Sequence, residues 1–198
     1  MGAERKILDY SFYARPDVLQ ISRELLGKVL VSEMDGIRTS GIITETEAYA
    51  GIHDKASHAY GNRQTKRTAT MFGPPGISYV YLCYGIHHLF NVVTHQEGIP
   101  HAVLVRAIEP LEGIEEILRR RKKEKLRKNI CGGPGTLSQG LGIKTIHNGL
   151  DLSSSPITIE DHGIIVPEKQ ISVGPRIGVD YAKEDALLPY RFVYSPNA

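Results

Sequence analysis

The spacing of apolar residues in the first quarter of the chain changes from helical to strand-like. Over residues 16–26 apolar side chains recur near helical spacing, and Gly27 follows where a helix end favours glycine. Residues 28–31 and 41–49 are rich in Val, Ile and Thr, which predicts two strands. An Asp-Gly pair within residues 34–38 predicts a hairpin turn between these strands.

The middle of the chain predicts a long loop followed by three strands. Residues 54–75 have no sustained periodicity, so we expect a loop with one short helix. A loop of that length inside a compact domain is usually functional. Strand-like runs follow at 77–84, 89–95 and 102–108, and the first two are joined around Gly85.

Helical spacing returns in the last part of the chain. Acidic residues early and basic residues late favour a helix over 111–128, and a Gly/Pro break separates it from a short helix over 136–141. Short strands are expected near 157–159 and 191–194. Together these elements predict an α+β fold, a single mixed domain over residues 1–198 with a curved, mostly antiparallel sheet, flanking helices and a protruding β-hairpin.

Basic residues are unevenly distributed along the chain. The chain has 198 residues, of which 41% are hydrophobic, enough to form one core without disulfide or metal staples. Its formal net charge is only +2, yet residues 119–128 contain eight basic residues and one acidic residue. Such a run is either a solvated face or a nucleic-acid contact, and charge alone leaves both interpretations open.

Several kinds of site and location are not indicated. Cys83 and Cys131 lack CxxC or Cys/His spacing, and no carboxylate completes a ligand set with His53 and His58, so we expect neither a metal nor another cofactor. The charged N-terminus lacks the apolar stretch of a signal peptide, and no window approaches the roughly 20 apolar residues of a membrane span. We therefore expect a soluble, cytoplasmic monomer with no membrane or protein partner.

Two carboxylates alternate with an aromatic residue along the predicted strand 41–49. Glu45, Glu47 and Tyr49 are two residues apart, so all three project from one face. A half-exposed strand with an acidic face gives the same pattern. Alternatively, one carboxylate is a general base whose pKa is set by its partner or a nearby arginine. A glycosidase acting on a small nucleoside or sugar could also use Glu45 and Glu47 as an acid/base pair.

Aromatic residues are concentrated near the predicted hairpin. Tyr79, Tyr81 and Tyr84 lie in the run GISYVYLCYG, which ends at a glycine turn. Core packing explains many strand tyrosines, but aromatic faces beside a basic, Arg/Thr-rich loop also suit the stacking of nucleobases. A non-catalytic module that binds RNA or single strands would use the same features. His58 lies in the loop, and by pattern alone it is typical of a structural or surface histidine.

Three segments of the sequence resemble a known enzyme family. They are GIITETEAYAGIHDKASHAYGNRQTKRTATMF, GISYVYLCYGIHHLFNVV and AVLVRAIEPLEG, and in order and spacing they are similar to the monofunctional alkyladenine (3-methyladenine) DNA glycosylases. The resemblance extends from LLGKVLV near Leu25 through CGGPGTLSQGLGI to PRIGV near Val179. It implies an enzyme of base excision repair that flips alkylated or deaminated purines from double-stranded DNA and hydrolyses their N-glycosidic bond, leaving an abasic site.

The resemblance also implies roles for residues at matching positions. Glu47 falls at the position of the carboxylate that activates the attacking water. Arg106 and the backbone carbonyl of Ile177 would help to hold that water. Tyr49 and Tyr81 would stack on opposite faces of the flipped base.

Other matching positions concern the base pocket and the DNA groove. The resemblance implies that His58 closes the pocket and that Asn91 opposes the 2-amino group of guanine. Tyr84 would wedge into the minor groove where the base has left. His87 and His88 depart from the aromatic or apolar residues that are frequent near the wedge, so we expect the groove contact to differ in detail. No lysine near the pocket is an evident Schiff-base nucleophile, which favours hydrolysis without lyase activity.

Overall fold

Nine antiparallel strands form one sheet in the computed structural model, which describes residues 5–154 and 156–195. The strands are β1 (Lys6–Ile7), β2 (Val29–Met34), β3 (Ile37–Ala50), β4 (Ser78–Cys83), β5 (His87–Thr94), β6 (His101–Glu112), β7 (Ile157–Asp161), β8 (Ile171–Gly174) and β9 (Arg191–Tyr194). Their order is β1-β7-β2-β3-β6-β5-β4, and β9 pairs with both β3 and β8. The sheet is therefore open, with β1 and β4 at its two ends.

Helices and 3₁₀ turns connect the strands and cover the sheet. The α-helices in the described residues are α1 (Tyr10–Tyr13), α2 (Val18–Glu24), α3 (Ile114–Arg121) and α4 (Pro134–Leu141). The 3₁₀ turns are Gly51–His53, Tyr60–Asn62, Ala69–Phe72, Thr145–His147, Glu168–Gln170 and Asp180–Leu187. The carboxylate of Asp17 accepts two backbone N–H bonds and so caps the start of α2. Pro134 begins α4, and Gly142, at a φ of 72°, ends it.

The long strand β3 positions the centre of the molecule. Its first half pairs with β2, residues 45–47 pair with β9, and β6 runs along its other edge. Thr46 is buried, and its hydroxyl donates to the backbone carbonyl of Ser22 in α2 at 2.8 Å. Because side chains alternate along a strand, Glu47 and Tyr49 face away from α2. One side of β3 thus packs in the core, and the other is free to line a site.

The structure confirms the α+β class and all seven predicted strands. The segments predicted at 28–31, 41–49, 77–84, 89–95, 102–108, 157–159 and 191–194 correspond to β2, β3, β4, β5, β6, β7 and β9. The turn between β2 and β3 is formed by Asp35 and Gly36, both at positive φ. Neither α1, β1 nor β8 was predicted. α1 and β1 are too short to show a period of their own.

The helix predicted over 111–128 is much shorter in the structure. The strand β6 continues to Glu112, where the prediction had placed the first helical turn. Gly113 then takes a φ of 67° and lies so close to Arg38 that a Cβ would approach the Arg38 carbonyl oxygen to 2.5 Å. At its other end α3 stops at Lys122, whose φ is 53°. The remaining basic residues therefore form an exposed segment after the helix.

Two smaller differences concern the other predicted helices. The helix predicted over 16–26 is α2, which is shorter at both ends, and the helix predicted over 136–141 begins two residues earlier, at Pro134. The loop 54–75 contains two 3₁₀ turns in place of one short helix. In the described part of the chain, no helix combines the length and apolar character needed to cross a membrane.

Candidate active site

An open cavity of about 610 Å³ lies beside the second half of β3, a volume typical of small-molecule pockets. Seven of the eight residues predicted for the site line it: Tyr49, His58, Tyr81, Tyr84, Asn91, Arg106 and Ile177. The eighth, Glu47, lies directly behind the lining and contacts Tyr49 and Ile177. The fold therefore brings residues from distant parts of the sequence together around one cavity.

Glu47 is fully buried and held on three sides. Its Oε1 accepts a hydrogen bond from the backbone N–H of Ile177 at 2.7 Å, and its Oε2 accepts one from the hydroxyl of Tyr49 at 2.8 Å. Nη1 of Arg106 lies 3.4 Å from Oε1. Burial raises the pKa of Glu47 above its ordinary value, and these three neighbours partly oppose the increase. The carboxylate is thus fixed in position and more basic than a surface glutamate, as a general base requires.

Arg106 reaches both carboxylates of β3 because the strand pairing is irregular beside it. The register between β3 and β6 skips Arg106, which leaves it as a bulged residue without a directly opposed partner. A bulge re-aims the side chain that it carries. Nε of Arg106 donates to Oε1 of Glu45 at 2.8 Å, and Arg191 donates to the same oxygen at 3.0 Å. One guanidinium therefore links Glu45 to Glu47, which confirms that the two carboxylates share a face.

The Ile177 contact differs from the one expected from sequence. The resemblance pointed to the backbone carbonyl of Ile177 as a ligand of water, whereas the contact in the structure is the bond from its amide to Glu47. The side chain of Ile177 is 51% exposed at the cavity mouth. The carbonyl's role stays a prediction, and the amide contact adds a role in orienting Glu47. We use the name glutamate wall for Glu47, Tyr49, Arg106 and Ile177.

A second aromatic group comes from β4 and the long loop before it. The rings of His58 and Tyr81 meet edge to face at 4.7 Å, and Nδ1 of His58 lies 2.9 Å from the hydroxyl of Tyr79. The guanidinium of Arg67 lies over the ring of Tyr81 at 4.7 Å and 3.4 Å from Nε2 of His58. Because a guanidinium can only donate, Nε2 is the acceptor and Nδ1 carries the proton. Burial, with Arg67 and Arg63, lowers the pKa of His58 to about 4, so the ring is neutral at neutral pH.

Asn91 forms a fixed part of the pocket. It is 3% exposed, and its Nδ2 donates to the backbone carbonyls of Tyr79 at 3.0 Å and Leu89 at 3.3 Å. Both amide hydrogens are therefore used within the protein. A side chain tied down in this way cannot move aside easily, so it presents a rigid surface to any ring that enters the cavity.

The turn between β4 and β5 is exposed to solvent, unlike the buried Asn91. Tyr84 is 90% exposed, and Ile86 is 71% exposed. Tyr84 has a φ of 51°, a left-handed conformation that is unfavourable for a bulky side chain. Below the turn the hairpin is anchored, because His87 packs so closely on Gly135 that a Cβ there would approach its ring to 2.7 Å. His88 accepts a hydrogen bond from a backbone amide at 3.1 Å. We call residues 84–86 the hairpin tip.

Sequence reasoning missed a buried ion pair behind the glutamate wall. Nη2 of Arg176 lies 2.8 Å from Oδ1 of Asp54, and the two side chains are 0% and 2% exposed. Arg176 precedes Ile177 in the chain, and its guanidinium lies 4.8 Å from the centre of the Tyr49 ring. The available signal was this adjacency in PRIGV, but sequence gives no indication of the distant carboxylate partner. Arg67 was also missed, since it resembles any other residue of a basic loop.

The basic run divides into paired and exposed parts. Arg119 and Arg120 form ion pairs with Glu116 on α3. Residues 122–128 are exposed and lead through Cys131 to the start of α4, which lines the cavity next to the hairpin. The exposed part therefore ends five positions before Gly133, the first lining residue of this region.

The cavity combines a few distinct chemical capabilities. Tyrosine rings can stack on a planar ligand, Asn91 can exclude bulky substituents, and Glu47 can take a proton from water. No lysine is found among the residues that line the cavity in the described part of the chain. Within residues 5–154 and 156–195, no cluster of three or more His, Cys, Asp or Glu is arranged to hold a metal ion.

Comparison with known proteins gives a consistent result over nearly the whole chain. The family model described as methylpurine-DNA glycosylase (MPG) matches residues 11–198. A protein of Bacillus thuringiensis (strain Al Hakam) is 48% identical over 196 residues, which cover 93% of each chain. Relatives from Bacillus cereus (strain ZK / E33L) and Bacillus anthracis (strain CDC 684 / NRRL 3495) are 48% and 47% identical, again with 93% of each chain covered. The names of all three contain the words 3-methyladenine DNA glycosylase.

Proposed function

The chain belongs to the methylpurine-DNA glycosylase family, whose members hydrolyse N-glycosyl bonds, and we propose that it removes alkylated or deaminated purines of the 3-methyladenine type from duplex DNA. The observation that carries the proposal is the position of Glu47. This buried carboxylate lies behind a cavity of about 610 Å³, oriented by Arg106 and the Ile177 amide and bonded to the Tyr49 hydroxyl. The product would be an abasic site, the substrate of later steps in base excision repair.

A base stacked inside a duplex cannot reach this cavity, so the nucleotide must first be flipped out. Unstacking costs a few kcal/mol. In the proposal Tyr84 fills the gap in the duplex, because it is 90% exposed at the tip of a hairpin that is anchored below its turn. Tyr49 and Tyr81 then stack on the base, and each stacked ring contributes roughly 1–3 kcal/mol.

The chemical step follows from the position of Glu47. As the bond between the base and C1′ of the sugar breaks, its electron pair leaves with the base and positive charge develops on the sugar. The nearby carboxylate stabilises that charge and accepts a proton from the attacking water, whose oxygen bonds to C1′. Arg106 keeps Glu47 oriented while its main hydrogen bond goes to Glu45. A purine alkylated on a ring nitrogen such as N3 or N7 is cationic in the nucleotide and leaves as a neutral base, so it needs no further proton. A deaminated purine is neutral in the nucleotide, and in the proposal it takes one proton from solvent in order to leave as a neutral base.

Selection among bases would fall to the rigid parts of the pocket. Asn91 cannot move aside, and in the proposal it opposes the 2-amino group of guanine. His58 is neutral and bonded to Tyr79, so it adds no positive charge that would repel a cationic base. The absence of lysine among the described lining residues supports hydrolysis without a Schiff-base intermediate.

The two alternative functions fit the geometry less well. A glycosidase with Glu45 and Glu47 as an acid/base pair needs the carboxyl groups to flank the scissile bond, about 5–9.5 Å apart. Here both lie on one strand face and bind the same Arg106, and Arg191 also holds Glu45. A non-catalytic module for RNA or single strands would have no use for a buried, oriented carboxylate.

The proposal is tested with duplexes that each carry one defined lesion. We expect wild-type protein to release the free modified base, identified by chromatography, and to leave alkali-cleavable abasic sites. Borohydride should trap no covalent protein–DNA adduct. Release of no base from any methylated or deaminated purine duplex would overturn the proposal, and cleavage of free nucleosides instead would support the glycosidase alternative.

A further inference from the structure

The buried pair of Asp54 and Arg176 connects three parts of the site. Asp54 lies just beyond the end of β3, where its Oδ2 accepts from the amide of Ala50 at 3.0 Å and its Oδ1 accepts from the amide of Ala56 at 2.9 Å. These two bonds fix the turn that leads from Tyr49 towards His58. The carboxylate also accepts hydrogen bonds from both terminal nitrogens of Arg176, from Nη1 to Oδ2 at 2.5 Å and from Nη2 to Oδ1 at 2.8 Å.

Arg176 carries the connection to the other side of the cavity. Its Nη1 donates to the carbonyl of Ala48 at 2.9 Å, between Glu47 and Tyr49 in the chain. Its Nη2 reaches the carbonyl of Asp185 at 3.2 Å. The guanidinium lies between two aromatic rings, 4.8 Å from the centre of Tyr49 and 5.1 Å from that of Tyr190. The next residue, Ile177, provides the amide that holds Glu47.

From these contacts we infer that Arg176, locked by Asp54, is a positioning residue that sets the orientation of both Glu47 and Tyr49. It fixes the Ile177 amide against the carboxylate and supports the Tyr49 ring from behind. The inference rests on the proposed function of Glu47 as the base that activates water.

The degree of burial argues that the pair does more than stabilise the fold. Removing two charges from water is costly, and well-packed apolar residues of similar volume are often at least as stable. Nε of Arg176 is also buried without a hydrogen-bond partner in the described structure, which adds to the cost. A planar, forked cation can make several bonds in fixed directions at once, which no apolar residue or lysine reproduces.

The pH dependence of excision offers a readout that stability alone does not affect. The Ile177 amide lowers the pKa of Glu47, so losing that bond should raise this pKa and move the acid limb of the rate profile to higher pH. The charged and titratable groups around Glu47 are Glu45 and Tyr49 on its own strand, Arg106 on β6, Arg191 on β9, and Arg176 and Tyr181 on the segment beyond β8. Arg176→Lys keeps the positive charge, so a shift in that variant reports the altered geometry.

The experiment measures single-turnover excision of a lesion duplex between pH 5 and 9, with Arg176→Lys, Asp54→Asn and the control Arg38→Met. Arg38 also pairs with a poorly exposed carboxylate, since its Nη2 contacts both oxygens of Glu160, but this pair links β3 to β7, away from the cavity. We expect both site variants to lose about 10- to 100-fold in rate constant, since small misplacements of reacting groups cost up to about 10²-fold. Their acid limbs should move to higher pH.

The amplitude of the reaction separates this role from a structural one. Partial unfolding lowers the fraction of active protein, hence the amplitude, but leaves the rate constant and the acid limb of the folded molecules unchanged. That pattern is expected for Arg38→Met. If Arg176→Lys and Asp54→Asn show it as well, the inference is wrong although the proposed function stands. If wild-type protein releases no base, the proposed function itself fails.

Discussion

The glutamate wall and the hairpin tip lie on the same cavity but differ in almost every physical respect. Glu47 has no solvent exposure and accepts hydrogen bonds from Tyr49 and Ile177, and an ion pair behind the wall is buried as well. Tyr84 is 90% exposed and has a left-handed backbone conformation. The wall is held by contacts from several strands and loops, whereas the tip is held only by its own turn.

This difference follows from what each region has to do. A group that stabilises developing charge is effective when it is already oriented and removed from water. A group that enters a duplex has to be accessible before binding and obtains its contacts from the DNA. Changes to the wall should therefore reduce the rate of the chemical step, and changes to the tip should reduce the capture of the flipped base.

The largest effect is expected for Glu47→Gln. Loss of the general base should lower the single-turnover excision rate by about 10²- to 10⁴-fold, while binding to lesion duplex is kept. Near-normal excision would contradict the assignment. Glu33→Gln, an exposed change on β2, is the matched control and should have no effect.

The same variant should be more stable than wild type at neutral pH. Burial raises the pKa of Glu47, so its contribution to folding is fully present below the unfolded-state value of about 4.3 and is lost as the pH rises through the folded-state value. Glutamine imitates the protonated form of Glu47, so the variant does not lose this stability as the pH rises. Arg106 keeps Glu45 as its partner. Thermal denaturation at pH 7 and at pH 4 should show a gain in Tm that shrinks at the lower pH. An equal or lower Tm at pH 7 would contradict it.

A smaller loss of activity is expected for Tyr84→Gly. Removing the wedge should weaken capture of the flipped base about 10- to 100-fold, because unstacking costs a few kcal/mol and stacking on Tyr49 and Tyr81 then offsets only part of that cost. The unfolding free energy should stay the same or rise, since glycine tolerates the φ of 51° without the penalty of a side chain. Excision from duplex and thermal stability are measured together, with the exposed Tyr10→Ala as control. Unchanged excision would show that Tyr84 is not the wedge.

The pH dependence of the wild-type rate should identify the ionisation of the wall. Only the carboxylate form of Glu47 accepts a proton, so the rate should fall about tenfold per pH unit below its pKa, and this limb should lie above the ordinary glutamate range. His58, with a pKa of about 4, stays neutral across a range from pH 6 upwards. A limb at the ordinary value of about 4.3 would show that Glu47 is not the titrating base.

The smallest effect concerns the exposed basic segment 122–128. If the segment binds phosphates, replacing Lys122, Lys123 and Lys125 by glutamine should weaken the salt dependence of DNA binding. The slope of the logarithm of the binding constant against the logarithm of the salt concentration should fall by about 1 for each phosphate that is no longer neutralised. The excision rate constant should not change. Lys6→Gln, on the terminal strand β1 of the sheet, is the control. An unchanged slope would identify the segment as a solvated face.

Much of the fold could be predicted because local patterns determine it. Runs rich in Val, Ile and Thr marked the strands, and Asp35-Gly36 marked a turn. The end of β6 could not be predicted, because it depends on the close approach of Gly113 to Arg38, a contact between distant segments. For the same reason the predicted helix over 111–128 was too long.

The candidate site shows the same division. Same-face spacing predicted that Glu45 and Glu47 belong together, and the family resemblance named the residues that line the cavity. The role of Arg106 between the carboxylates depends on a bulge, and the pairing of Asp54 with Arg176 depends on tertiary contact. Neither leaves a periodic trace in the sequence.

The most direct test of the proposed function is a crystal structure of the Glu47→Gln protein bound to a duplex that contains one methylated or deaminated purine. We predict that the base lies outside the helix between the rings of Tyr49 and Tyr81, with C1′ of its sugar facing residue 47 and Tyr84 in the gap. A base that remains stacked in the duplex, or a sugar turned away from residue 47, would contradict this prediction.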